Sequence, residues 1–195
     1  MDFHYSDTTL VIQGKFLATS TGVGGDLKQV DALFNHTVPR GWHDDSPELF
    51  LSDVARKEGI HGKYFGLITA VPMTSLLICR CGFLTIFITA GISNHTINII
   101  AVSTEGLSRN ALLESVATIS SAKTHALLEC GRGIMGTPTD AVIMACEGDM
   151  KHRYAGMVSM VGRRLTECVR RGVPLALSRY EHGEGTPEIV DLDVS

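Results

Sequence analysis

Four runs rich in Ile, Val, Thr and Phe follow one another almost end to end, at residues 65–71, 75–79, 83–90 and 96–103. Side chains of this kind suit the pleated, half-buried surface of a strand. The Arg80-Cys81-Gly82 gap between the second and third runs has hairpin length, and a parallel pair would need a crossover of about a dozen residues instead. At least part of the sheet is therefore antiparallel. A long helix is expected from the N-cap Ser108 to just before Gly131, followed by a buried strand over residues 140–146 (DAVIMAC). A second amphipathic helix is expected over residues 157–171, with Met157, Met160, Val161, Leu165, Cys168 and Val169 on one stripe. Gly172-Val173-Pro174 should end it. Helices interspersed with consecutive strands define an α+β (mixed α/β) class: a mixed or antiparallel sheet with helices packed on it, in a single domain over residues 1–195.

The first third of the chain is less regular. Residues 8–12 and 16–20 flank Gln13-Gly14-Lys15, which reads as a hairpin or tight bend. The glycine-rich Thr21-Gly22-Val23-Gly24-Gly25-Asp26 follows, then Phe34-Asn35-His36-Thr37-Val38-Pro39 and a loop holding the sole tryptophan, Trp42. Ser46-Pro47-Glu48 is a helix start, with proline at the first helical position and an early carboxylate facing the dipole; Gly59 should stop that helix. From Ser178 the tail is polar, and His182-Gly183-Glu184-Gly185 reads as a turn or a frayed end.

Composition removes several function classes. Lys plus Arg number 17 against 21 Asp plus Glu, a formal charge of −4 with no basic run, so a nucleic-acid backbone is a poor partner. Arg80 interrupts the apolar stretch 76–92, and its uncharged part, 81–92, is too short to cross about 30 Å of hydrocarbon as a helix. Residues 1–7 carry no basic, apolar leader, so a cytoplasmic protein without membrane attachment is expected. Five cysteines are an odd set, better explained as free thiols in a reducing compartment than as a disulfide framework. The GxGG segment does not match a dinucleotide fingerprint, and there is no P-loop.

The sharpest chemical anomaly is Lys123. At 100° per residue it lies about 20° from Leu112, inside the stripe Leu112, Val116, Ile119, Ala126, Leu127 and Cys130. A lysine there must snorkel out, pair with a buried carboxylate or point into a cleft. Asp140 is the obvious partner, because its strand and this helix are consecutive. Asp140 closes Gly136-Thr137-Pro138-Thr139-Asp140, hydroxyls and a carboxylate at the mouth of a strand; such a turn either meets a ligand or satisfies its own backbone. Gly24 and Gly25 free backbone amides for an anion or a carbonyl oxygen, or form a plain flexible turn. His36 is either a structural histidine or a general acid or base. His43-Asp44-Asp45 carries metal-capable atoms, but no His, Cys or carboxylate set has convincing ligand spacing, so no metal is expected.

Taken in order, Thr21-Gly22-Val23-Gly24-Gly25, Phe34-Asn35-His36, Thr96-Ile97-Asn98-Ile99-Ile100, Ala122-Lys123 and Gly136-Thr137-Pro138-Thr139-Asp140-Ala141-Val142 resemble the adenosylcobinamide amidohydrolase family, over about residues 16–172. Val23 stands where the family pattern commonly has asparagine, which leaves the segment its backbone amides. The resemblance implies hydrolysis of the amide joining aminopropanol to the corrin ring's propionyl arm, giving adenosylcobyric acid for cobalamin synthesis. It implies a corrinoid substrate and no cofactor beyond the substrate's own cobalt; a homo-oligomer stays open. Amide hydrolysis needs an activated water or hydroxyl, oxyanion donors and an acid for the leaving amine. Asp140 or His36 would be the base, Lys123 would polarise the site or orient Asp140, and the Gly24 and Gly25 amides would hold the oxyanion. Thr21, Thr137 or Thr139 would bind or attack, and Asn35 and Asn98 would meet the corrin's amide arms. The competing readings are a corrinoid carrier without chemistry and hydrolysis of another amide.

Overall fold

The computed structural model describes residues 1–183 and 185–193. A short strand, β1 (Asp2–Tyr5), precedes a long one, β2 (Thr9–Ser20), which pairs antiparallel with β3 (Leu27–Thr37). Gln13-Gly14-Lys15 does not turn the chain. It is a bulge inside β2, where the pairing with β3 shifts register between Gln13 and Phe16. A Cβ on Gly14 would sit 2.5 Å from the Phe16 ring, so the bulge closes only on glycine. Helix α1 (Pro47–Lys57) lies between the expected Ser46 and Gly59, the latter at φ +70°. The Ser46 hydroxyl caps nothing; instead Asp44 Oδ1 accepts from Ser46 N at 2.7 Å.

The central strands are β4 (Tyr64–Thr69), β5 (Leu77–Cys81), β6 (Leu84–Gly91) and β7 (Thr96–Ser103). The β5–β6 hairpin turns through Gly82 and Phe83, with Gly82 at φ +59°. After β8 (Gly106–Leu107) comes α2 (Arg109–Glu129), whose N-cap Ser108 accepts from Ala111 N. The chain continues through β9 (Ala141–Cys146), β10 (Met150–His152), α3 (Met160–His182) and β11 (Glu188–Asp191).

Among the described residues the main sheet runs β11-β5-β6-β7-β9-β2-β3-β4, with β1 also on β2, while β8 and β10 form a parallel ribbon. It is a mixed sheet. β5–β6, β6–β7, β2–β9 and β2–β3 are antiparallel, whereas β7–β9, β3–β4 and β5–β11 are parallel. The sheet curls on itself. Asn35 on β3 hydrogen-bonds Thr89 on β6 and Asn98 on β7, although β9 and β2 intervene in the strand order. The concave side holds a core of Leu10, Ile12, Phe16, Leu33, Phe65, Phe87, Ile100 and Ile143. On the convex side Leu112, Ile119, Ala126 and Leu127 of α2 and Leu165, Val169 and Val173 of α3 pack on Ile86, Ile88, Ile99, Ala101, Val142 and Met144. Helix α1 covers Val11, Ala32 and Phe34.

Pro174 does not stop α3, which runs on to His182. Proline inside a helix costs about 3 kcal/mol. Val173, Ala176 and Leu177 are fully buried around it, and each Val or Leu burial is worth roughly 1.5–3 kcal/mol, so packing outweighs the lost hydrogen bond. The helix starts three residues later than expected, at the N-cap Ser159, and Met157 and Met160 are half exposed rather than on the buried stripe. The polar tail is partly ordered structure: residues 178–182 are helical, Gly183 caps at φ +68°, and β11 pairs with β5. Glu184 of the expected turn lies outside the described residues. The five cysteines are free, and Cys130, expected on the α2 stripe, is exposed. Burial pushes the Cys79 thiol up to about 12, so it behaves as a small apolar side chain. No helix among the described residues is long and apolar enough to cross a membrane.

Candidate functional site

Where β2 and β4 end and β7 and β9 begin, the curled sheet opens into a cleft of about 580 Å³. Thr21, Thr69, Asn94, His95, Thr96, Thr139 and Asp140 give it polar lining; Val23, Val38, Pro39, Trp42 and Pro47 give it apolar lining. The strand termini build the polar part. Thr21 N donates to Val142 O and Val142 N donates to Thr21 Oγ1, both at 2.9 Å, which seals the end of β2 onto β9.

Asp140 organises the turn before β9. Its Oδ1 accepts from Ile97 N at 2.8 Å and from Thr137 Oγ1, and its Oδ2 accepts from Thr137 N at 3.0 Å and from Lys123 Nζ. Four donors fill a carboxylate's acceptor sites. The Lys123 and Asp140 side chains are only 10% and 11% exposed, so this pair is far less screened than a surface ion pair. Lys123 reaches Asp140 from α2 and is not itself among the residues lining the cleft. Gly136 is required beneath them: a Cβ there would lie 2.7 Å from Asp140 Oδ2 and 2.8 Å from Lys123 Nζ. Thr139 Oγ1 donates to His95 O across the cleft floor.

Thr21, Thr137, Thr139, Asp140 and Lys123 thus come together around one end of the sheet. Other candidates do not join them. His36 follows Asn35 on β3, and successive strand residues face opposite ways; His36 lies on the α1 side, with Nδ1 2.8 Å from Thr9 Oγ1 and its ring 5.6 Å from that of Phe50. Burial pushes its pKa below the ordinary value, with Glu58 opposing and Lys57 reinforcing the shift. Asn35 and Asn98 are buried beneath the cleft and satisfy each other. Asn98 Nδ2 donates to Asn35 Oδ1 at 3.0 Å and to Ile68 O at 2.9 Å, and Asn35 Nδ2 donates to Thr89 Oγ1 at 3.0 Å. Their amides are spent on closing the sheet rather than offered to a ligand. Gly22 and Val23 line the cleft, whereas Gly24 lines a smaller hollow with Lys28, Lys63 and Phe65, and Gly25 packs under Ser20 O.

The structure adds residues that the motifs did not single out for the site. Trp42 supplies the largest apolar face of the lining. Asn94 and His95 close the turn between β6 and β7, and His95 takes φ +56°, the one non-glycine positive φ among the described residues. Asn-His between two strand-like runs is a turn signal, because both residues tolerate the left-handed region better than most. His43 and Asp44 also reach the rim, but no group of three or more His, Cys, Asp or Glu among the described residues gathers as a metal ion would need.

A family model for adenosylcobinamide amidohydrolase matches residues 6–96 and 95–184, both sides of the cleft. The chain belongs to the adenosylcobinamide amidohydrolase family. Adenosylcobinamide amidohydrolase of Methanosarcina mazei is 41% identical over 195 aligned residues, covering 91% of this chain and 98% of that protein. The enzyme of the same name from Halobacterium salinarum is 31% identical over 182 residues, 81% of this chain and 78% of that protein. For this member of the adenosylcobinamide amidohydrolase family, the Gly136–Asp140 turn and the strand from Thr96 meet through the Asp140–Ile97 hydrogen bond, so its two most distinctive sequence blocks form one wall.

Proposed function

We propose that the protein hydrolyses the amide linking aminopropanol to the corrin ring of adenosylcobinamide, releasing aminopropanol and adenosylcobyric acid. Family membership supports the substrate class. The observation that carries the chemistry is the polar wall of Thr21, Thr139 and Asp140 set in a cleft of about 580 Å³ beside an apolar lining that includes Trp42. A macrocycle with apolar faces and polar arms needs both kinds of surface.

In this reading water adds to the amide carbonyl, negative charge gathers on the carbonyl oxygen, and the amine leaves with a proton. The Thr21 hydroxyl, whose hydrogen meets only Val142 O at a long 3.5 Å, and the Val23 backbone amide at the rim are the donors available to the substrate carbonyl, while the Thr139 hydroxyl is held by His95 O. Asp140 takes a proton from water only by releasing one of its four partners. Its first task is therefore to fix the wall, with Lys123 holding the carboxylate from behind. Cobalt arrives inside the substrate as part of it. The deciding experiment incubates the protein with adenosylcobinamide and measures free aminopropanol. Stoichiometric release supports the reading; tight corrinoid binding without release establishes a carrier instead.

A further inference from the structure

We infer that Asn94 is a substrate-recognition residue, its side-chain oxygen accepting an amide N–H of the bound corrinoid. This rests on the proposed function and adds a residue that neither the sequence blocks nor the family match assigns. Asn94 is the one asparagine in the cleft lining. Its Nδ2 donates to Ala70 O at 2.6 Å. A carbonyl oxygen only accepts, so the amide is oriented with its NH₂ toward Ala70, and Oδ1 is left without a partner among the described residues. Asn35 and Asn98 cannot do this work, since each is buried and bonded within the sheet.

The neighbouring chain holds Asn94 in place from several directions. Ser93 Oγ lies 3.1 Å from the Tyr180 hydroxyl on α3. His95 takes the left-handed conformation immediately after it, which a non-glycine residue keeps only where its surroundings hold it. Thr139 Oγ1 fastens the His95 carbonyl, and Asp140 Oδ1 fastens Ile97 N at 2.8 Å. The Thr137–Asp140 turn, held by Lys123 from behind, therefore also positions the Asn94 turn. A fixed acceptor selects a ligand that presents a donor, such as an amide N–H. The corrinoid offers two sources: the scissile amide and the primary amides of the other arms.

The test measures steady-state turnover of adenosylcobinamide, and equilibrium binding of both adenosylcobinamide and adenosylcobyric acid, for the native protein, Asn94→Ala and Asn94→Ser. Losing one well-placed hydrogen bond to a substrate should raise KM and Kd about tenfold, with kcat changed less and the melting temperature within about 4 °C of native. Weakened binding of the substrate alone assigns Oδ1 to the aminopropanol arm that carries the scissile amide, because the product lacks that arm. Equal weakening of both ligands assigns it to another arm. Unchanged KM and Kd in two folded variants of an active protein overturns the assignment while leaving the proposed reaction intact. A native protein that neither binds nor hydrolyses adenosylcobinamide overturns both.

Discussion

Lys123 sits on an apolar helix face for a reason that the Asp140 contact makes plain: it balances a carboxylate that is itself almost dry. Removing one member of such a pair leaves a buried charge, at a cost of about 3–5 kcal/mol in general. Here Thr137 and Ile97 still donate to Asp140, so Lys123→Met should fall near the lower end, about 3 kcal/mol. Lys123→Met combined with Asp140→Asn removes both charges and should recover part of that stability, a non-additivity readable from denaturant midpoints. Aminopropanol release should drop by roughly a hundredfold in each single variant if the pair supports a positioned electrostatic group. Near-native turnover in both would leave them a purely structural pair. Lys123 was legible because helical periodicity gives each position a direction. The direction of Asn35 and His36 required recognising β3, whose opening Lys28-Gln29 and later Asp31 hide the alternation.

At the scale of elements, α3 shows how tertiary packing overrides a local signal. Residue 174 lacks the N–H that would bond Arg170 O, so Pro174→Ala should raise the melting temperature, by about 1–2 kcal/mol of stability. The neighbouring Gly172 has the opposite expectation. A Cβ there would lie 2.6 Å from Ile88 Cδ1 and 3.0 Å from Cys79 Sγ. Gly172→Val should therefore destabilise by about 1–3 kcal/mol through overpacking, despite removing a helix glycine. Calorimetry on the two variants should show shifts of opposite sign; a Gly172→Val protein as stable as the native one would mean that α3 does not press on the sheet at this point. The helix polar face also has work. Glu114 accepts from Ala155 N and Gly156 N, at 2.7 and 3.1 Å, and Thr118 donates to Ala155 O at 2.9 Å, so α2 holds the approach to α3 with side chains that periodicity assigns to solvent.

The whole molecule should lose stability in two stages on acidification. Burial lowers the pKa of His36 from 6.5 in the fold, so as pH falls below that value the unfolded chain binds the proton first, and stability complete above it declines. The second stage starts from the ordinary carboxylate values. Lys15 holds the Asp31 carboxyl low, Lys151 and His152 do so for Glu105, the Ala155 N–H for Glu114 and Arg170 for Glu129, so their contributions are present at neutral pH and lost further into acid. Melting temperature followed from pH 8 to about 4 should hold until about 6.5, fall, and fall again as the carboxylate range is reached, and His36→Gln should remove the stage that begins near 6.5. Turnover should survive exhaustive chelation; loss restored by added zinc or manganese would require a resident metal. The sequence alone determined the strand-rich centre, the caps at Ser108 and Gly59, the α2 stripe with Lys123 in it, and the Gly136–Asp140 turn, because each depends on side chains a few positions apart. Only the tertiary structure decided the bulge that keeps β2 continuous, the passage of α3 through Pro174, and the curl that buries Asn35 against Asn98 and leaves Asn94 at the cleft. Those features rest on contacts between residues far apart in the chain, 121 positions at Thr21 and Val142, and local preference carries no information about which distant surface will be there to meet them.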